Sequence, residues 1–162
     1  MTGGDPAAPS APAPEPAAVH DVGRIGRIRP CRPVRLSEHA DDRGRLSIAE
    51  TGREVPFGIA RAYWQHATPA GAARGAHGHR RLEQVVVAVS GGCDILLDDG
   101  LRRCRYRLED PAAGLYIGPM VWRDYVDFAP GTVVLFLVSE PYDEAEYLRS
   151  YDEFRRAAAG LR

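Results

Sequence analysis

From about Gly23 onward the chain is a succession of short β-type runs cut by turn residues, and this pattern limits the fold more than any other feature. The runs are RPVRL, RLSIAE, FGIARAYW, QVVVAVS, CDILLDDG, CRYRL, GLYIG, DYVDF and TVVLFLVS. Strands recurring at about ten-residue intervals predict an all-β sandwich or barrel. VVVAV and VVLFLV are apolar at every position, so they should be central strands covered on both faces. Cys104-Arg105-Tyr106-Arg107-Leu108 alternates and should be half-exposed. Asp98-Asp99-Gly100 predicts a tight turn between CDILL and CRYRL, because aspartate and glycine tolerate the positive φ of a hairpin.

The two ends read differently. The first twenty residues contain five prolines and almost no large apolar side chain. Such a segment buries too little surface to offset the cost of ordering its backbone, and residues 1–22 are expected to form a disordered tail. The barrel domain is expected over 23–142. From Asp143 to about Ala159, the apolar positions Tyr147, Leu148, Tyr151, Phe154 and Ala158 follow one stripe of a helix, with Gly160 as a stop signal. Residues 143–162 are therefore predicted to place a C-terminal helix against the barrel. At 162 residues, one domain with a tail is the expected organisation.

Charge and composition narrow the partners. A net charge of −1 offers no basic surface excess for nucleic acid or an anionic membrane, so any anion must be held locally. No apolar run approaches the roughly 18 to 20 residues needed to cross a bilayer, and no secretory leader is visible. Cys31, Cys93 and Cys104 form no C-x-x-C pair, and an odd number argues against a disulfide framework. A cytoplasmic protein is expected. All 21 basic residues are arginine, which removes Schiff-base chemistry and a lysine general base.

The densest chemical signal is Y63-WQHATPAGAARGAHGHRRLEQVVVAVSG-91. In a strand, His77 and His79 project to the same side, and two imidazoles facing one space suit metal binding or proton shuttling. The spacing resembles the first motif of the cupin superfamily, with Gly71, His77, His79, position 84 and Gly91 at its intervals. Position 84 holds Gln84 where that motif has a glutamate, and Glu83 points to the opposite face. In GLYIGPMVWRDYVDF, Asp124 stands where the second motif has its last histidine. A site of His77, His79 and Asp124 around a metal remains open, but a metal-free pocket agrees better with the loss of both ligands. In that pocket the histidines are acid and base, and Gln84 is a substrate-binding group. Arg74 offers a donor fork to a phosphate or an enolate oxygen, and Tyr63 a hydroxyl. Solitary histidines are more often structural, so His20, His39 and His66 receive no role.

DDRGRLSIAE, VPFGIARAYW, RGAHGH with Gln84, GLYIGPMVW and SEPYDEAEYLRSYDEF, taken together and in this order, resemble the sugar 3,4-ketoisomerases that act on dTDP-4-keto-6-deoxyglucose. The resemblance extends from about Pro33 to Phe154. It implies a cupin jelly-roll barrel with a C-terminal helix, a homodimer with exchanged N-terminal strands, and catalysis without a metal or other cofactor. The implied reaction moves the carbonyl from C4 to C3 of a dTDP-linked keto sugar, ahead of amination to a 3-amino sugar. It implies that Tyr63, His77 and His79 are catalytic, that Arg74 is the arginine preceding the pair, and that Arg43 and Arg123 lie by the sugar. A non-catalytic sugar-nucleotide binding module is the alternative from another functional class. Where the family commonly has HAHK, this chain has HGHR, so Gly78 is expected to loosen the backbone between the histidines.

Overall fold

The computed structural model describes residue 28 and residues 30–161; the Pro/Ala-rich segment 1–22 lies outside them. Among the described residues twelve strands run in chain order: β1 Arg32–Arg35, β2 Ser37–Asp41, β3 Gly44–Ile48, β4 Arg61–Gln65, β5 Arg74–His79, β6 Gln84–Ser90, β7 Cys93–Asp98, β8 Arg103–Leu108, β9 Ala113–Ile117, β10 Trp122–Val126, β11 Val133–Val138 and β12 Tyr147–Leu148. A 3₁₀ turn at Glu144–Glu146 precedes β12, and α1 spans Tyr151–Ala159.

The strands form two five-stranded sheets, ordered β1-β9-β6-β11-β4 and β12-β5-β10-β7-β8, with β2 and β3 as a separate hairpin. The paired strands are antiparallel. The facing sides of the sheets enclose the main core, in which Val86, Ala88, Leu115, Ile117, Val134 and Phe136 of the first sheet meet Cys93, Ile95, Leu97, Leu108 and Tyr125 of the second. This is the jelly-roll barrel that the strand pattern and the resemblance imply.

The two all-apolar runs occupy the covered positions expected of them. In β6, Val86 and Ala88 point into the barrel, while Val85 and Val87 enter a second cluster with Val55, Phe57 and Leu137 on the outer face. Alternation sends successive residues to opposite faces, so a strand buried on both sides must be apolar throughout. The run expected to begin at Phe57 starts later, at Arg61, because Phe57 instead covers the outer side of the sheet. The predicted Asp-Asp-Gly turn joins β7 to β8, with Gly100 at φ 87° and the Asp99 N–H donating to the Arg102 carbonyl at 3.2 Å.

The C-terminal segment departs from a single helix over 143–159. Tyr147 and Leu148 pair with His79 and Gly78 as β12, and helix begins only at Tyr151. Glu146 fixes the break: its buried carboxylate accepts from the N–H groups of Arg81 and Leu82 at 2.8 and 3.2 Å. Ser150 then caps α1, its hydroxyl accepting from the Glu153 N–H. Phe154 and Ala158 bury against Trp122 and Leu148 on the outer face of the second sheet.

Candidate active site

The local shape of β5 sets the histidine pair. Against β10, Arg123 stands opposite His77 and Asp124 opposite Gly75, so Ala76 bulges out of the ladder. Ala76 takes a left-handed φ of 51°, and its N–H donates to Asp124 Oδ1 at 3.0 Å. Gly75 has φ 98°, and a Cβ there would come 2.7 Å from the Arg123 carbonyl oxygen, so only glycine fits without displacing backbone. Its own carbonyl lies 2.8 Å from His77 Nδ1. A carbonyl only accepts, so Nδ1 carries the proton and Nε2 keeps a free lone pair.

The rings of His77 and His79 meet edge to face with centroids 4.8 Å apart, sharing one space as their spacing predicts. Tyr147 of β12 forms the adjoining wall, its ring 5.1 Å from His77 and 4.5 Å from His79. Gly78 between them has a packing role. A Cβ there would meet the Phe154 ring at 3.1 Å, so its smallness lets α1 lie close behind the pair.

Both imidazoles are held neutral. Burial and then the Arg123 guanidinium push His77 down to about 3, and the same two causes, in the same order, push His79 further down. His79 is 1% exposed, and neither of its ring nitrogens has a hydrogen-bond partner among the described residues. Arg123 itself is fully buried; Nη1 reaches the His77 carbonyl at 3.3 Å, while Nε and Nη2 have no hydrogen-bond partner among the described residues. Tyr63 faces inward from β4, stacked on Phe136 at 4.7 Å between centroids, and burial raises its hydroxyl above the usual range, keeping it a donor.

The remaining sequence candidates fall at different depths. Gln84 is buried on β6, and its amide donates to the Tyr125 hydroxyl at 3.4 Å, inside the barrel. Arg74 opens β5 opposite Tyr125, whose side chain is interior; Arg74 therefore stands at the rim of the same face, exposed. Arg43 is not brought to the histidines within one chain. It lies exposed at the β2–β3 turn, its backbone N–H donating to Asp41 Oδ1 at 2.9 Å. Asp124 is committed elsewhere, accepting from Ala76 and from Trp122 Nε1 at 3.0 Å each. Those bonds hold it on the face of β10 opposite Arg123 and His77, so the His77, His79 and Asp124 ligand set does not assemble. Among the described residues no group of three His, Cys, Asp or Glu side chains could hold a metal ion.

Two further residues line this space without a clear mark in the sequence. Tyr147 lay on the assumed helical stripe. Arg61 shares the inward face of β4 with Tyr63, two residues on, and the R-x-Y alternation carried that signal.

A family model described as "FdtA: WxcM-like, C-terminal" matches residues 29–159. A TDP-4-oxo-6-deoxy-alpha-D-glucose-3,4-oxoisomerase from Aneurinibacillus thermoaerophilus is 42% identical over 128 residues, which is 79% of this chain and 92% of that protein. The crystal structure of QdtA, a sugar 3,4-ketoisomerase from Thermoanaerobacterium thermosaccharolyticum in complex with TDP, superposes with a TM-score of 0.79 at 37% identity, covering 81% of this chain and 96% of QdtA. The WlaRB TDP-quinovose 3,4-ketoisomerase from Campylobacter jejuni gives 0.77 at 44% identity, with coverage of 80% and 99%.

Proposed function

Since the chain belongs to the FdtA family of WxcM-like, C-terminal proteins, a family of sugar 3,4-ketoisomerases, we propose that it moves the carbonyl of TDP-4-keto-6-deoxyglucose from C4 to C3. The reaction runs on the protein's own acid and base groups. The observation that carries this reading is the pair of neutral imidazoles facing one space, one of them with its tautomer fixed by the Gly75 carbonyl.

The chemistry follows from the carbon skeleton. His77 Nε2 takes the proton from C3, the C3–H electron pair becomes the C3–C4 double bond, and the C4 carbonyl oxygen takes up the charge. The O3 hydroxyl proton passes to O4 and a proton is delivered to C4 as the C3 carbonyl forms, leaving the carbonyl at C3 and an alcohol at C4. No electron leaves the substrate. His79 and Tyr63 serve as the proton carriers on the second half, and Arg123 stabilises the enediolate. The exposed Arg74 fork at the rim suits a diphosphate oxygen, with buried Gln84 holding the inner wall.

The decisive experiment is incubation with TDP-4-keto-6-deoxyglucose in heavy water, read by NMR. The carbonyl resonance should move from C4 to C3, with deuterium at C4 of the product and at C3 of recovered substrate. Tight binding with an unchanged ligand spectrum would reject isomerisation in favour of a binding module. The product fits a cytoplasmic route to a 3-amino sugar. No helix among the described residues is long and apolar enough to cross a membrane.

The working form is a homodimer with exchanged N-terminal strands. The β2–β3 hairpin joins neither large sheet of its own chain and leaves Leu46 exposed, while Trp64 on the outer face of β4 is 63% exposed. Laid on a second copy, the hairpin would cover apolar surface and carry Arg43 toward the neighbouring site. Sedimentation velocity should give twice the chain mass at micromolar concentration; a single-chain mass would refute the exchange.

A further inference from the structure

Several arginines of the barrel pair with carboxylates: Arg103 with Asp98, Arg105 with Asp94 and Arg81 with Glu146. Arg61, like Arg123, is not among them. Its guanidinium carbon lies 5.0 Å from the Tyr63 ring centroid and 5.5 Å from that of Tyr142, so a tyrosine ring lies within cation–π distance on each of two sides. Its Nε and Nη2 atoms are buried and have no hydrogen-bond partner among the described residues. A buried donor left unmade is costly, and a cation without a counterion more so. The arrangement makes sense when an anion completes it.

The surroundings narrow that anion. Arg61 rises from β4 in the first sheet and Arg123 from β10 in the second, and both act on His79 across the same space. Arg123 likewise has unpartnered donors. Two guanidinium groups from opposite sheets, both acting on the same neutral imidazole, match a small species with negative charge spread over adjacent oxygens. An enediolate is such a species, and the ground-state ketone is not.

Resting on the isomerase reading, we propose that Arg61 is a further catalytic residue, whose Nε and Nη2 edge donates to the enediolate oxygen as charge develops there. The rival occupant of the same donor edge is a diphosphate oxygen, which would make Arg61 a binding group only.

Arg61→Gln and Arg61→Ala separate these. With TDP-4-keto-6-deoxyglucose as substrate, kcat should fall about 10²- to 10³-fold, as for loss of one oxyanion donor. The Kd for TDP, measured by calorimetry, should stay within about threefold of the unsubstituted protein. Methylguanidinium added to Arg61→Ala should restore part of kcat, a result that a misfolded variant could not give. A retained kcat, or a TDP affinity that falls as far as kcat does, would overturn the assignment. Inactivity of the unsubstituted protein in the same assay would instead defeat the isomerase reading and leave Arg61 aside.

Discussion

Replacing His77 with asparagine should lower kcat for 3,4-isomerisation by about three orders of magnitude, within the range that a positioned general base contributes. Asparagine keeps a side-chain N–H near the Gly75 carbonyl but has no basic nitrogen to stand in for Nε2. Circular dichroism and the unfolding midpoint should be near those of the unsubstituted protein. Activity within about tenfold of it would remove His77 from the mechanism. A pH signature accompanies this. His77 is neutral in the folded state down to about 3, below its ordinary value of 6.5, so the acid limb of kcat/KM should not appear near 6.5.

The pH effect on stability is opposite in sign to that of a protonated imidazole held in an ion pair. Below 6.5 the unfolded chain binds protons at these imidazoles while the folded chain does not, so stability should decline as pH falls toward about 3. Each imidazole contributes at most about 1.4 kcal/mol per pH unit in that window. Acid inactivation should therefore track unfolding, followed by fluorescence, and not precede it.

Replacing Arg123 with methionine should divide activity from stability. The guanidinium is fully buried, two of its nitrogens lack a partner among the described residues, and burial lowers its proton affinity, so the fold bears a desolvation cost. A flexible apolar side chain in its place should raise stability by about 1–3 kcal/mol, the scale found when buried charges give way to hydrophobic groups. The same change should lower kcat by about 10²-fold or more, because the developing oxyanion loses a preorganised donor. Thermal unfolding beside steady-state kinetics checks both halves. A destabilised variant would mean that the Nη1 bond to the His77 carbonyl outweighs the buried charge.

Much of this architecture was legible in the residues. β6 and β11 had no polar face to offer solvent, the Asp-Asp-Gly turn had one purpose, and the H-x-H spacing put both rings in one space. What escaped were features set by tertiary pairing. The stripe through Tyr147, Leu148, Tyr151 and Phe154 has helical spacing, yet the ladder to His79 and Gly78 claims its first two members. Ser150 with Glu153 three residues later is a capping signature that marks the true helix start, present in the sequence and outweighed there by the longer stripe. The bulge at Ala76 has no sequence marker of its own, since it arises from the carboxylate of Asp124 on another strand. That bond also explains why the position of a missing histidine holds an aspartate that coordinates nothing.

Strand β10 has no idle side. Arg123 and Tyr125 face the barrel interior, while Trp122 and Asp124 hold the helix-packing cluster and the bulge of β5. On the role proposed for Arg123, selection acting on heat tolerance through Trp122 and selection acting on turnover through Arg123 thus fall on neighbours sharing one peptide bond. Adaptation of this enzyme to a new temperature or a new sugar cannot treat the two traits as separate, and a redesign must vary Trp122 to Tyr125 as a block.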